Sequence, residues 1–221
     1  MSKPAKNICG VAMVLAPLLG IASAIASPAL QGSDSAKLAE IASHPDRWYL
    51  YALFITASSW LFVPAVLALI DILSERSPRL GLVGGGLALL GVLIAIGDGT
   101  CELMYWQMGA RGADRPQMAA LARRFETATG SSQLFTIGGL ALIIGLVLLA
   151  VALWRTDAVP ALAALGLPAG AALNIAGFSS NNNALVIASN AVLLAALGWI
   201  ASVYLASASE RQATSPHVAT T

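Results

Sequence analysis

The sequence predicts an all-α, polytopic membrane protein: six transmembrane helices in one domain, with a short amphipathic helix lying in the interface. Three observations predict it. The 221 residues are 57% hydrophobic and only 10% charged, against about 25% charged in soluble domains. Mean hydropathy is +0.77. Six apolar runs, at about 8–30, 48–73, 80–106, 133–154, 158–178 and 184–206, are each long enough to cross a hydrocarbon core of ~30 Å. A cell-membrane, multi-pass location is expected.

The first run follows Lys3 and Lys6 and ends in small residues, ASAIASPA. A basic start, an apolar middle and a small-residue end also fit a cleavable signal peptide. The run is long for that and long enough to span, so a membrane helix is the reading adopted. In the polar loop 31–47 the stretch SAKLAEIASH suits a short helix before Pro45. The second run opens with Trp48, Tyr49, Tyr51, Phe54 and Trp60 and holds Pro64, which should kink it. A six-residue loop, SERSPR, joins it to the third, so these two form an antiparallel pair.

The longest connection, 107–132, contains Asp114-Arg115-Pro116, a helix-start signature. Met118, Leu121, Ala122 and Phe125 then share one face, which reads as an amphipathic interfacial segment, a candidate cover for the bundle. The fourth run carries no charge. The fifth holds Pro160, Pro168 and Asn174, and the turn SSNNN leads to the sixth, with Asn190 inside it. The domain ends near 206, and 207–221 is a polar tail expected to be disordered.

Composition also narrows function. A net charge of +1 with no basic, aromatic-interleaved patch argues against nucleic acid. Cys9 and Cys101 are far apart and outside any CxxC context, so neither a disulfide framework nor a zinc site is indicated. His44 and His217 both lie in polar stretches, which leaves no intramembrane histidine to hold a haem. Neither metal nor cofactor is expected. With both termini inside, Lys3, Lys6, Arg76, Arg79, Arg155 and Arg211 face the cytoplasm and Lys37, Arg47, Arg111, Arg115, Arg123 and Arg124 the other side. So even a split does not decide orientation by the positive-inside rule; the short loops and basic N-terminus favour the termini inside.

Residues 81–106 organise the chain. Gly81, Gly84, Ala88, Gly91 and Ala95 recur at steps of three and four, and Asp98 and Glu102 continue the series. On a helix these positions form one stripe, and small-residue stripes are where membrane helices approach one another. The acids should therefore point into the bundle, where an ionisable residue marks a functional site by default. Gly84–Gly86 is packing and not a phosphate loop, because no Lys-Ser/Thr follows.

Alternation of the spans puts Trp48, Tyr49, Tyr51, Trp60, Asp98, Glu102, Tyr105, Trp106, Gln133, Asn174, Asn183 and Asn190 in one half of the bundle. The other half holds Asp71, expected to snorkel or cap. Polarity gathered at one end of an apolar bundle suggests a pocket. Two carboxyls one turn apart in a poorly hydrated site cannot both ionise cheaply, so they are expected to titrate as a pair, one keeping a proton it can donate. Aromatic faces attract cations. Asp98 and Glu102 are thus candidate catalytic acids. Tyr51, Trp60, Tyr105 and Trp106 are candidates for a cation-stabilising wall, and Asn174 and Asn190 for orienting the acid or substrate. Trp48, Tyr49, Tyr105 and Trp106 equally suit an interfacial aromatic belt, and the two asparagines suit inter-helix hydrogen bonding.

In length, span number and intramembrane acids among aromatics, the chain resembles the small bacterial integral-membrane terpene cyclases of the drimentine type. That resemblance implies protonation of a farnesyl-type chain by a membrane-embedded acid, without metal and without a DDxxD motif, which this sequence also lacks. The expected partner is then a lipophilic prenylated small molecule taken up within the lipid bilayer. A proton-coupled small transporter and a non-catalytic lipid-binding or partner-stabilising subunit are the competing readings.

Overall fold

The computed structural model describes residues 1–28, 34–110 and 112–213. Arg111, the last two residues of the predicted first span and the end of the tail lie outside them. Within the described residues the chain is built from eight helices. Six are long and apolar enough to cross a membrane: α1 (Lys3–Ala26), α3 (Pro45–Leu73), α4 (Pro78–Met108), α6 (Thr129–Arg155), α7 (Ala161–Ser179) and α8 (Asn183–Ala213), the last of these by its stretch to Ala206. The two short ones, α2 (Asp34–Ser43) and α5 (Arg115–Thr127), lie in the connections. The protein is an all-α, multi-pass membrane bundle.

Local chemistry sets the ends. Helix α1 stops earlier than its hydropathy does, because Pro28 drives Ser27 into an extended conformation (ψ 123°). Pro45 and Pro78 open α3 and α4 at the position where a missing N–H costs nothing. The Asp114 carboxylate accepts the Gln117 N–H at 3.2 Å and caps α5. Pro17, Pro64 and Pro168 sit inside helices that continue through them. Asn181 takes the left-handed conformation (φ 50°) in the turn before α8, where asparagine is tolerated. Helix α8 carries on to Ala213, beyond the point where hydropathy falls.

The six long helices form a ring in the order α1, α3, α4, α6, α7, α8 and back to α1. Small residues close its seams. Gly85 lies against Ile70 between α3 and α4, Gly145 against the Ala88 backbone between α4 and α6, and Gly170 against Leu193 between α7 and α8. Gly84, Ala88 and Gly91 of the predicted stripe are all buried and meet α6. Without a hydrophobic driving force in lipid, this close van der Waals contact holds the helices together.

The ring has two distinct ends. At one, α2 and α5 pack on each other and across α4, around their own core of Leu38, Ile41, Trp48, Tyr105, Met108 and Ala122. Arg47 there donates to the last carbonyls of α1, on Ala26 and Ile25, at 3.2 and 3.3 Å. At the other end Asp71 joins three helices, accepting from Tyr204 Oη at 3.0 Å and pairing with Lys6 Nζ at 3.6 Å. Asp71 is a tie between α1, α3 and α8.

Candidate functional site

The ring encloses a cavity of about 350 Å³, lined by residues of all six long helices. That size lies within the ~300–1,000 Å³ typical of small-molecule sites. Leu69, Leu146, Leu167 and Leu197 line its deep part with Phe62, which packs against the same core, and Phe135 and Phe178 line the half nearer α2 and α5. Among the described residues Asp98 is the one charged group on the wall.

Helix contacts place Asp98 in a polar layer. Gly91 and Gly138 meet across the α4/α6 seam and Gly99 meets Thr56 across the α3/α4 seam, so Asp98 stands level with Phe135 and Ile55. Ser58 Oγ donates to the Ala16 carbonyl at 2.7 Å and Gly20 abuts Asn190, which brings α1 and α8 to the same level. Asn174, Asn190, Ser58 and Ser59 share the lining with Asp98. The Asn190 amide donates to the Val186 carbonyl of its own helix at 2.9 Å, and Ser59 Oγ donates to Ile55 at 3.0 Å. Asp98 itself lines the cavity and is exposed, and among the described residues none donates it a hydrogen bond.

Glu102, one turn further on, is not on this wall. The expectation that the two acids serve one pocket is corrected here. The Glu102 side chain turns into the core beneath α2, where Oε1 lies 3.9 Å from Lys37 Nζ. The Lys37 ammonium sits 3.7 Å from the Tyr105 ring centroid and 5.5 Å from that of Trp48, a cation held between aromatic faces and a carboxylate. Trp48 Nε1 donates to the Glu102 carbonyl at 3.0 Å, and Tyr105 Oη to Glu126 Oε1 at 2.7 Å. Glu102 therefore fastens α2 and α4 together.

The aromatic candidates also part company with the cavity. Trp60 is 61% exposed on the outer face of α3: it lies two residues from Phe62, and on a helix that is about 200° round. Tyr51 is buried edge-on against Trp48, with centroids 5.4 Å apart. Tyr105 is buried beneath α2, and Trp106 packs tilted against Tyr49, with centroids 5.0 Å apart. Asp98, Asn174 and Asn190 are the predicted site residues that the fold brings together. The wall phenylalanines and Lys37 carried no signal in the sequence: a phenylalanine facing a cavity and one facing lipid read alike. Among the described residues no three His, Cys, Asp or Glu side chains converge as a metal site would require.

Fold and cavity thus define a multi-pass membrane protein with an intramembrane, largely apolar chamber carrying one acid. The chain belongs to the family described as a domain of unknown function (DUF4386), which matches residues 8–207 and so takes in all six spanning helices. No curated protein and no solved structure matches it.

Proposed function

We propose that the chamber binds a lipophilic, prenylated small molecule of the farnesyl type within the cell membrane and cyclises it by protonation from Asp98. The observation that carries this reading is a lone carboxyl, level with Phe135, on the wall of a largely apolar cavity.

The chemistry follows from those groups. The Asp98 carboxylic acid gives its proton to an alkene carbon, so that an O–H bond breaks and a C–H bond forms. The cation left on the neighbouring carbon is attacked by the next alkene of the same chain, which forms the ring C–C bond. A proton leaves the carbon beside the final cation and returns to the Asp98 carboxylate, so the product is an isomer of the substrate. Phe62, Phe135 and Phe178 offer ring faces to the cation, each worth about 2 kcal/mol or more where water is excluded. Asn174 and the oxygen of Asn190 can orient the acid or a polar group of the substrate.

A proton-coupled transporter is less favoured, because the second acid of a relay, Glu102, is engaged by Lys37. The test is to incubate membranes containing the protein with a farnesylated indole and search for a new compound of unchanged mass. The product is expected with the unaltered chain and with Glu102→Gln, and lost with Asp98→Asn. Normal cyclisation by Asp98→Asn would overturn the assignment of the acid.

A further inference from the structure

We infer that the chamber opens sideways into the bilayer between α6 and α7, and that its ligand is an apolar chain that passes through this gap without crossing water. The inference rests on the reading that the cavity takes a lipophilic molecule, and extends it to where that molecule comes from.

The ring's seams are not alike. Gly20 against Asn190, Gly85 against Ile70, Gly145 against Ala88 and Gly170 against Leu193 each leave no room for a side chain, and Ser58 ties α3 to Ala16 of α1. The α6/α7 seam is the least packed of the six. Its core residues, Leu149, Ala152 and Leu153 on α6 with Ala163, Ala164 and Leu167 on α7, belong to the half where a short turn connects the two helices. Towards the α2/α5 end these core residues give way to cavity lining, Gly139 and Ile143 on α6 and Ala171 and Ile175 on α7.

There the residues of the chamber wall keep much of their surface open. Ile175 and Phe178 of α7 line the cavity and are nevertheless 44% and 49% exposed. Gly139 of α6 lines it too, is exposed, and would meet nothing within 4 Å if it carried a Cβ. A residue that touches both the lumen and the outside marks an opening.

Depth and chemistry say what lies outside. Gly139 is about 15 Å along the axis from Thr129, at ~1.5 Å per residue. Helix α6 has 27 residues and is therefore about 40 Å long, so Gly139 falls well inside a hydrocarbon layer of ~30 Å. The rim, Phe135, Ile175 and Phe178, is apolar, as a passage for acyl or isoprenoid chains would be. Because α6 and α7 remain helical throughout, the gap exposes no unpaired backbone to lipid. Asp98, level with Phe135, then meets whatever comes through.

The experiment needs no turnover, so its outcome is separable from that of the cyclisation assay. In a chain with Cys9→Ala and Cys101→Ala, a nitrobenzoxadiazole fluorophore is attached at Ala95→Cys on the lumen wall, and the protein is reconstituted in phosphatidylcholine vesicles. The quenchers are a fatty acid carrying a nitroxide midway along its chain, and aqueous iodide. Strong quenching by the fatty acid, little by iodide, and a several-fold loss of the former on adding Gly139→Trp are expected. A control fluorophore at the outward-facing Leu140→Cys should be quenched equally with or without Gly139→Trp, which also shows that the variant folds. Quenching mainly by iodide, or quenching by the fatty acid that Gly139→Trp leaves unchanged, would overturn the lateral opening while leaving the cyclase proposal standing.

Discussion

Asp98 and Glu102 are one turn apart, and their surroundings assign them different work. Asp98 faces the cavity with no hydrogen-bond donor among the described residues, whereas Glu102 pairs with Lys37 beneath α2. General acids contribute about 10²–10⁴-fold to rate, so Asp98→Asn should lower product formation by that order, measured as isomer formed per unit of protein. Glu102→Gln should leave the product and cost stability instead, since Lys37 loses the carboxylate it pairs with. A cost of about 1 kcal/mol would lower the midpoint of thermal unfolding in detergent by about 2–4 °C. Trp60→Ala should alter neither product nor fold, its ring being on the outer face.

Helices α4 and α6 show how a run of small residues becomes a contact. Gly84, Ala88 and Gly91 on one meet Gly138, Leu142 and Gly145 on the other, close enough for backbone to approach backbone. Gly145→Leu would drive a side chain into the main chain at Ala88, with no flexible neighbour to yield. The expected cost is about 3 kcal/mol or more, seen as loss of monodisperse protein on size-exclusion chromatography. Gly86 belongs to the same glycine triplet but faces open space. Gly86→Ala should be stabilising by about 0.5–1 kcal/mol through helix propensity alone, with a small rise in the unfolding midpoint. The stripe is legible in the sequence, because a period of 3.6 puts its members on one face. Which members touch and which stand free depends on where the partner helix crosses.

The whole molecule is a ring with one covered end. Six crossings place α2, α5 and the 180–182 turn on one side of the membrane, and the 74–77 and 156–160 connections on the other. In a cysteine-free chain, single cysteines at Gln117 and Ser180 should therefore react with an impermeant maleimide from the same side of sealed vesicles, and one at Ser74 from the opposite side. Labelling of all three from one side would break the six-span arrangement. The concentration of polar residues towards one end, expected from alternation of the spans, becomes two structures: a core under α2 and α5 holding Lys37, Glu102 and Tyr105, and beside it the cavity layer holding Asp98, Asn174 and Asn190.

Length, hydropathy and the spacing of small residues were enough to establish six spans, the face of α4 that packs, and an acid directed inwards. Each follows from constraints acting along a single helix: the thickness of the hydrocarbon, the 3.6-residue period and the cost of charge in lipid. The division of labour between Asp98 and Glu102, the phenylalanine wall in place of Trp60, and the sparsely packed α6/α7 seam came only with the folded ring. In a membrane, a side chain facing lipid and one facing an apolar chamber have the same polarity, so hydropathy cannot separate them. Only the packing of neighbouring helices decides which apolar face is inside.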